Sequence, residues 1–292
     1  MYRIGILGSE NSHASAFSEI FNKPDENGAF KYPDCHVVAV GGHYPESNKE
    51  VFEKFGLDFI AEKPEDMLGK VDAVMVTARD GKFHPEFARP FVEAGLPMFI
   101  DKPFAVDPAE ALALVRLAKS KNVPLVGGSS VKQTYDVRMM QHTVKSGLGG
   151  IHGGCVAAPV SMHNDYSGFF FSHLAEMSLT IFGYDPKAVT AFRNGDDVTV
   201  VVEYDKYTVT NHFMEGCYNA YHCTIFGKDR NVCRDIDISM CYQHECEDFA
   251  AMLHNGTMSH TYKQLITPVY YLNAIYESYN TGKTVKIEVP EV

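Results

Sequence analysis

The run Phe99-Ile100-Asp101-Lys102-Pro103-Phe104 sets a carboxylate, an ammonium and a proline directly after a short apolar segment. If that segment is a strand of a parallel sheet, Lys102 stands at the sheet's mouth, where open α/β folds bind ligands. Pro103 fixes its own φ and pushes Lys102 toward extended geometry, so the cation is aimed. A cation so placed can stabilise charge developing on a substrate oxygen; the plain alternative is a solvated surface lysine. A second group, His163, Asp165, His173 and Glu176, gathers nitrogen and oxygen donors in a short stretch. Imidazole with carboxylate suits zinc or manganese, but the spacing matches no standard motif. No metal is therefore expected. A metal-assisted enzyme using His163, Asp165 and His173 stays open as a third reading. Cys233, Cys241, His244 and Cys246 also lie close in sequence, but irregularly, and buried free cysteines behave as small hydrophobes.

The elements that must position these groups alternate at first. Apolar runs predict strands over residues 2–7, 36–40, 71–77, 97–100 and 123–127. Helical spacing predicts helices over 13–22, 46–55 and 85–94, the last with Pro90 as a kink or a short first turn. Asp107-Pro108-Ala109-Glu110 is a helix start with N-cap, first-position proline and capping-box glutamate, and that helix runs to about Lys121. Strand–helix alternation with short loops predicts a doubly wound parallel sheet. After residue 128 the texture changes. Helices are expected over 135–146, near 172–182, and over 246–253 and 268–279, with β-rich segments at 188–192, 198–204 and from 208 onward and no helices between those strands. The expected fold is α/β: a Rossmann-type domain over residues 1–128, then an α+β domain over 129–292 with a largely antiparallel sheet, one face open.

The bulk numbers restrict the partners. The 292 residues suit two domains or one large one. A net charge of −11, with no basic block, argues against nucleic acid or an anionic membrane as partner. No apolar run approaches the roughly 20 residues of a membrane helix. The chain opens on a strand rather than a signal peptide, and its 7 cysteines show no disulfide-like pattern. Together these predict a reduced, cytoplasmic protein.

The order of elements, with five pieces of sequence, resembles the glucose–fructose oxidoreductase / inositol dehydrogenase / rhizopine catabolism (Gfo/Idh/MocA) family. The pieces are Ile4-Gly5-Ile6-Leu7-Gly8, Asp101-Lys102-Pro103, Lys145-Ser146-Gly147-Leu148-Gly149-Gly150, Ser172-His173-Leu174 and the closing stretch from Ala274 to Val285. The resemblance covers nearly the whole chain. It implies an NAD- or NADP-dependent oxidoreductase passing a hydride between nicotinamide and a secondary alcohol or ketone of a sugar, polyol or related metabolite. Lys102 would touch substrate and nicotinamide ribose, and His173 would act as general acid–base. Those roles suit the residue types, since imidazole titrates near neutrality and lysine steadies an alkoxide. Gly8, Ser9, Asn11, Ser12 and His13 would form the cofactor loop, with Thr77 and His84 beside it after the third strand. Lys132 would contact substrate together with His163, Asp165 and His173, and Gln133 and Tyr135 lie in the same stretch as Lys132.

Three departures stand against that pattern. The dinucleotide fingerprint wants G-x-G-x-x-G, and here Gly8 is followed by Ser9-Glu10-Asn11-Ser12-His13. Glu10 takes the second glycine's place, where it crowds and repels a pyrophosphate. Asn11 or Ser12 can cap the helix, and a protonated His13 can meet a phosphate. The second strand ends Val40-Gly41-Gly42-His43 with no acid for ribose hydroxyls. Phe169 stands where the family carries an aspartate one turn before the histidine; Glu176 could share His173's face but reads more readily as a solvated or paired surface acid. These departures keep a second reading open, a non-catalytic ligand-binding or regulatory protein on the same scaffold. The open sheet face, from about Val189 to Phe226, predicts a homodimer or homotetramer.

Overall fold

The structure, a computed structural model, describes residues 1–161, 171–217 and 220–292. The chain divides into two compact units, residues 1–128 with 242–265 and Val292, and residues 129–241 with 266–291.

The first unit is built on a six-stranded sheet in the order β3-β2-β1-β4-β5-β6. Its strands are β1 (Tyr2–Leu7), β2 (Cys35–Gly41), β3 (Phe59–Ala61), β4 (Ala73–Val76), β5 (Met98–Asp101) and β6 (Leu125–Gly128). Every pairing is parallel. Ile4, Ile6, Val74, Met75, Ile100 and Val126 are fully buried, as unbroken apolar runs in a covered parallel sheet should be. The strand with no advance signal is β3. It is three residues long and lies at the sheet edge, too short for any periodicity to show.

The helices of this unit are α1 (Ser12–Asn22), α2 (Pro45–Phe55), α3 (His84–Ala94) and α4 (Pro108–Lys121). Asp107 caps α4 by accepting from Ala109 N at 2.6 Å and Glu110 N at 3.2 Å, and Asn122 ends it in the left-handed region. Helix α3 continues through Pro90. A later helix, α7 (Cys241–Asn255), supplies residues that sequence order alone assigns to the second domain. Cys246, Phe249, Ala250 and Leu253 recur at helical spacing and share one core with Phe17, Phe21 and Phe99.

The second unit carries a seven-stranded sheet in the order β12-β11-β7-β10-β9-β8-β13. Its strands are β7 (Ile151–Val160), β8 (Ala188–Asn194), β9 (Asp197–Glu203), β10 (Thr208–Glu215), β11 (His222–Gly227), β12 (Asn231–Asp235) and β13 (Val285–Lys286). Only β7 with β10 is parallel; the other pairs run antiparallel. Glycines mask β7 in the sequence, and packing requires one of them. A Cβ on Gly154 would come within 2.3 Å of the Phe182 ring and 2.5 Å of Thr224 O.

Helices α5 (Tyr135–Ser146), α6 (Phe171–Phe182) and α8 (Tyr262–Thr281) complete the set. Val198, Val200 and Val202 on β9, and Val209 and Phe213 on β10, join the core that contains Leu174, Met177 and Phe182 of α6. Their neighbours in alternation are only half-buried, and Phe192 and Phe226 are exposed. A polar chain ties three elements together: Ser178 Oγ donates to Asn211 Oδ1 at 3.0 Å, and Asn211 Nδ2 donates to Tyr271 Oη at 2.6 Å. No helix among the described residues is long and apolar enough to cross a membrane.

Phe249→Ala is expected to destabilise the chain by about 3–5 kcal/mol, because it opens a cavity in the first unit's core. Urea unfolding checks this, and a loss below about 1 kcal/mol would mean that α7 is not part of that core.

Candidate active site

The strand order reverses between β1 and β4, and the first constellation stands at the carboxyl ends of β1, β4 and β5. Gly8 has φ +100, and a Cβ there would lie 2.2 Å from Ala78 N, so the loops after β1 and β4 meet through a residue with no side chain. Thr77 Oγ1 donates to Gly8 O at 2.6 Å, and Asn11 Nδ2 donates to Thr77 O at 2.6 Å. Asn11 also caps α1 by accepting His13 N at 2.8 Å. Ser12, the other cap candidate, instead pairs with Tyr242 Oη at 3.1 Å. Ser9 Oγ donates to Asn48 Oδ1 at 2.6 Å, and Asn48 Nδ2 donates to Gly42 O at 3.0 Å, which ties the loop to the end of β2.

The charged groups lie underneath. Asp101, Lys102 and His84 are fully buried, and His13 nearly so. Asp101 Oδ1 accepts Lys102 N at 2.7 Å, while its Oδ2 pairs with His13 Nδ1. The expectation that His13 turns to a phosphate is therefore corrected, because its Nδ1 is committed to a buried carboxylate. Burial alone would raise the Asp101 carboxyl, but the charges of His13 and Lys102 outweigh it and hold it down at about 2. The His84 ring spans Pro103 O and Ala78 O, both at 2.7 Å, and burial pushes its pKa down. Both partners are carbonyl oxygens and only accept, so the neutral ring's single N–H serves one at a time; carried on Nδ1, it ties α3 to the loop that carries Lys102. The cofactor residues nominated from sequence, Gly8, Ser9, Asn11, Ser12, His13, Thr77, His84 and Lys102, thus all lie at this end of the sheet. The His13–Asp101 pair was not foreseen. Its one sequence signal is the acid directly before Lys102.

The second unit presents its own polar group along α6. His173 Nδ1 lies 2.8 Å from Ser129 Oγ. Lys132 Nζ and Glu176 Oε2 pair at 2.7 Å, with side chains only 2% and 3% exposed. This corrects the view of Glu176 as a surface acid. It also changes the part open to Lys132, whose charge is met by Glu176 within the core. Gln133 is buried and accepts from Arg138 at 2.6 Å, and Tyr135 is exposed. His163, Asp165 and Phe169 lie outside the described residues, as does the metal reading that needs the first two. Among the described residues, the three-ligand grouping is Asp34, Cys35 and His254. Burial and the Asp34 carboxylate push the Cys35 thiol up to about 12, which keeps it protonated and a poor ligand. All seven cysteines are free.

Residues 2–129 match the family model of the Gfo/Idh/MocA oxidoreductases, described as an oxidoreductase family with an NAD-binding Rossmann fold. Over those residues the chain is similar to that family's Rossmann domain. Solved structures extend the likeness beyond that domain. Myo-inositol 2-dehydrogenase from Lactobacillus plantarum is 17% identical at a TM-score of 0.82, over 98% of this chain and 99% of that one. Scyllo-inositol dehydrogenase from Lactobacillus casei, solved with NAD(H) and scyllo-inositol, is 14% identical at 0.83, again over 98% and 99%. Levoglucosan dehydrogenase, solved with NADH and levoglucosan, is 16% identical at 0.79, over 99% and 100%. At such identities these likenesses establish the shared fold. No curated protein sequence matches the chain.

The end of this sheet offers a dinucleotide a helix N-terminus at the strand reversal. A Cβ on Gly41 would meet Ala61 O at 2.9 Å and one on Gly42 would meet Gly8 N at 3.0 Å, so these glycines let the chain's own backbone pack closely at the ends of β1, β2 and β3. The α1 N-terminus lies at the strand reversal, where pyrophosphates are held. The departure is Glu10, whose Oε1 accepts Arg79 N at 2.8 Å and whose Oε2 is covered by the chain with no hydrogen-bond partner among the described residues.

Two outcomes follow from the buried charges. A carboxyl held low in the folded chain adds stability above its ordinary value near 4 and loses it as the pH falls toward about 2. The urea midpoint should therefore fall across that window, and D101N should lose that part of the slope; an unchanged slope would remove Asp101 from this role. E176A, by removing the carboxylate that Lys132 pairs with in the core, should cost about 3–5 kcal/mol, while the joint K132M/E176L exchange should be near neutral. Equal costs for the two in urea unfolding would contradict the pairing.

Proposed function

We propose that this protein is an NAD-dependent dehydrogenase that oxidises a secondary alcohol of a sugar or polyol, or reduces the matching ketone. The observation that carries the reading is Lys102, a lysine buried beside Asp101 at the carboxyl end of β5 in an NAD-binding Rossmann domain of an oxidoreductase family. The inositol and levoglucosan dehydrogenases that share the fold act on polyols and an anhydrosugar, which sets the class of compound to try first.

Alcohol oxidation needs a proton acceptor and a centre of positive charge for the alkoxide that forms. Lys102 supplies the charge, and it does so from a desolvated position where its field is strong. The Asp101 carboxylate bonded to its backbone fixes that stretch of chain, and His84 holds the next carbonyl along, Pro103 O. His173 is the proton acceptor. Ser129 Oγ holds Nδ1, which directs proton chemistry to Nε2. The loop from Gly8 to His13, with Thr77, holds the dinucleotide, and a bound nicotinamide supplies the two-electron acceptor. Lys132, locked to Glu176, shapes the wall near α6 and keeps its charge internal.

The half-buried face of the second sheet, with Phe192 and Phe226 exposed on β8 and β11, suits association into a homodimer or homotetramer. Seven free thiols suit a reducing, cytoplasmic setting.

Thermal shift with NAD, NADH, NADP and NADPH tests the cofactor. At 100 times Kd a ligand adds about 2.7 kcal/mol, an easily read rise in midpoint. The chain has 0 tryptophans, so NADH emission gives a clean second signal. Turnover with inositols and anhydrosugars should then produce NADH, and K102A and H173A should each lower kcat by about a hundred- to ten-thousandfold. Binding without turnover on any polyol or sugar would favour a ligand-binding regulator instead.

A further inference from the structure

Helix α6 and the turn after β6 meet through two contacts that repeat with one spacing. Ser129 Oγ lies 2.8 Å from His173 Nδ1, and Lys132 Nζ lies 2.7 Å from Glu176 Oε2. Ser129 and Lys132 are three positions apart at the tight helical turn Ser130–Gln133, where such residues eclipse. His173 and Glu176 have the same separation on α6, which makes them neighbours on one face. The two contacts are therefore adjacent rungs of one ladder. One rung carries the imidazole, and the other is an ion pair sealed in the core, its side chains 2% and 3% exposed. Charges out of water are weakly screened, so each acts strongly on a group one helical turn away.

Both charges reach along this face. At Tyr184, just past the end of α6, burial pushes the phenol up most, and beyond that the Lys132 ammonium lowers it and the Glu176 carboxylate raises it. His173 stands closer to Glu176 along the chain than Tyr184 does. Tyr221 sets its ring perpendicular to the imidazole, with centroids 6.4 Å apart. The other ionisable groups of the described elements packed against α6 are placed otherwise. On α5, Asp136 is committed to Arg234 and Arg138 to Gln133, while Tyr135, His142 and Lys145 are exposed. On β10, His212 alternates away from Val209 and Phe213 and meets Thr199 Oγ1 at 3.2 Å; Cys155 on β7 shares that outer face. Glu215, the last residue of β10, falls by alternation on the side of Phe213, and it is unchanged in the variants below.

We propose that the buried Lys132–Glu176 pair sets the proton affinity of His173, the carboxylate raising it and the ammonium lowering it from the next rung. Its bearing on turnover rests on the dehydrogenase reading above, in which His173 takes the proton. A base works best when it titrates near the working pH. A balanced pair keeps either charge from moving the imidazole far from there, and it does so without touching the substrate.

NMR titration of isotope-labelled imidazoles in wild type, E176Q, K132M and K132M/E176L decides the matter. The His173 signal, one of 13, is assigned by its loss in H173N. E176Q keeps the side-chain shape and removes the anion, so the His173 midpoint should fall by about one pH unit. K132M removes the cation, so the midpoint should rise by about as much. Each single variant has its own expected sign, so either one that folds carries the test. K132M/E176L, which fills the core without either charge, should titrate between the two. The pH dependence of kcat should move in step with these midpoints. A His173 midpoint that stays fixed, or that moves the same way in E176Q and K132M, overturns the role of the pair and leaves the dehydrogenase reading standing. Midpoints that move as expected while kcat keeps one pH profile uphold the pair and overturn His173 as the proton acceptor.

Discussion

A carboxylate buried at the end of β5 must be neutralised where it stands, and much of the first unit is arranged around that need. Asp101 has no access to water. Left alone it would gain a proton; with His13 on one oxygen and the Lys102 N–H on the other it remains an anion. Meeting that charge draws in the first turn of α1, where His13 resides. The start of α1 is then set by its Asn11 cap, and the loop before it by contacts to Thr77, Asn48 and Arg79. The same carboxylate holds the backbone at Lys102, so one buried charge ties the first turn of α1 to the loop after β5.

The second unit meets a similar demand differently. Helix α6 is buried nearly all round, and His173 is the one residue of the helix with more than slight exposure. A polar residue on such a helix needs a partner at close range. Glu176 finds Lys132, Ser178 finds Asn211, and His173 finds Ser129. Ser129 and Lys132 both come from the turn directly after β6. That turn therefore supplies the orienting hydroxyl of the imidazole and the counter-charge of the buried acid. Solved structures at 14% and 17% identity share the fold. The fold leaves open what each member does, so the chemistry has to be argued from these side chains.

Composition and periodicity determined the α/β class, the alternation up to residue 128, the apolar strands and the position of Lys102 at a strand end. These depend on local rules: spacing along a helix, continuity in a buried strand, a cap before a proline. The short edge strand β3 carried too few residues to register, and the glycines of β7 looked like a loop because the ring that needs the space at Gly154, Phe182, is far along the chain. The docking of α7 residues on the first core was invisible for the same reason. Tertiary structure alone decided the partners of the charged groups. His13 with Asp101, Lys132 with Glu176 and Glu10 with Arg79 N each join residues more than forty positions apart. Whether a titratable side chain faces water, a ligand or a counter-charge is set by what the folded chain brings against it, and no local pattern records that.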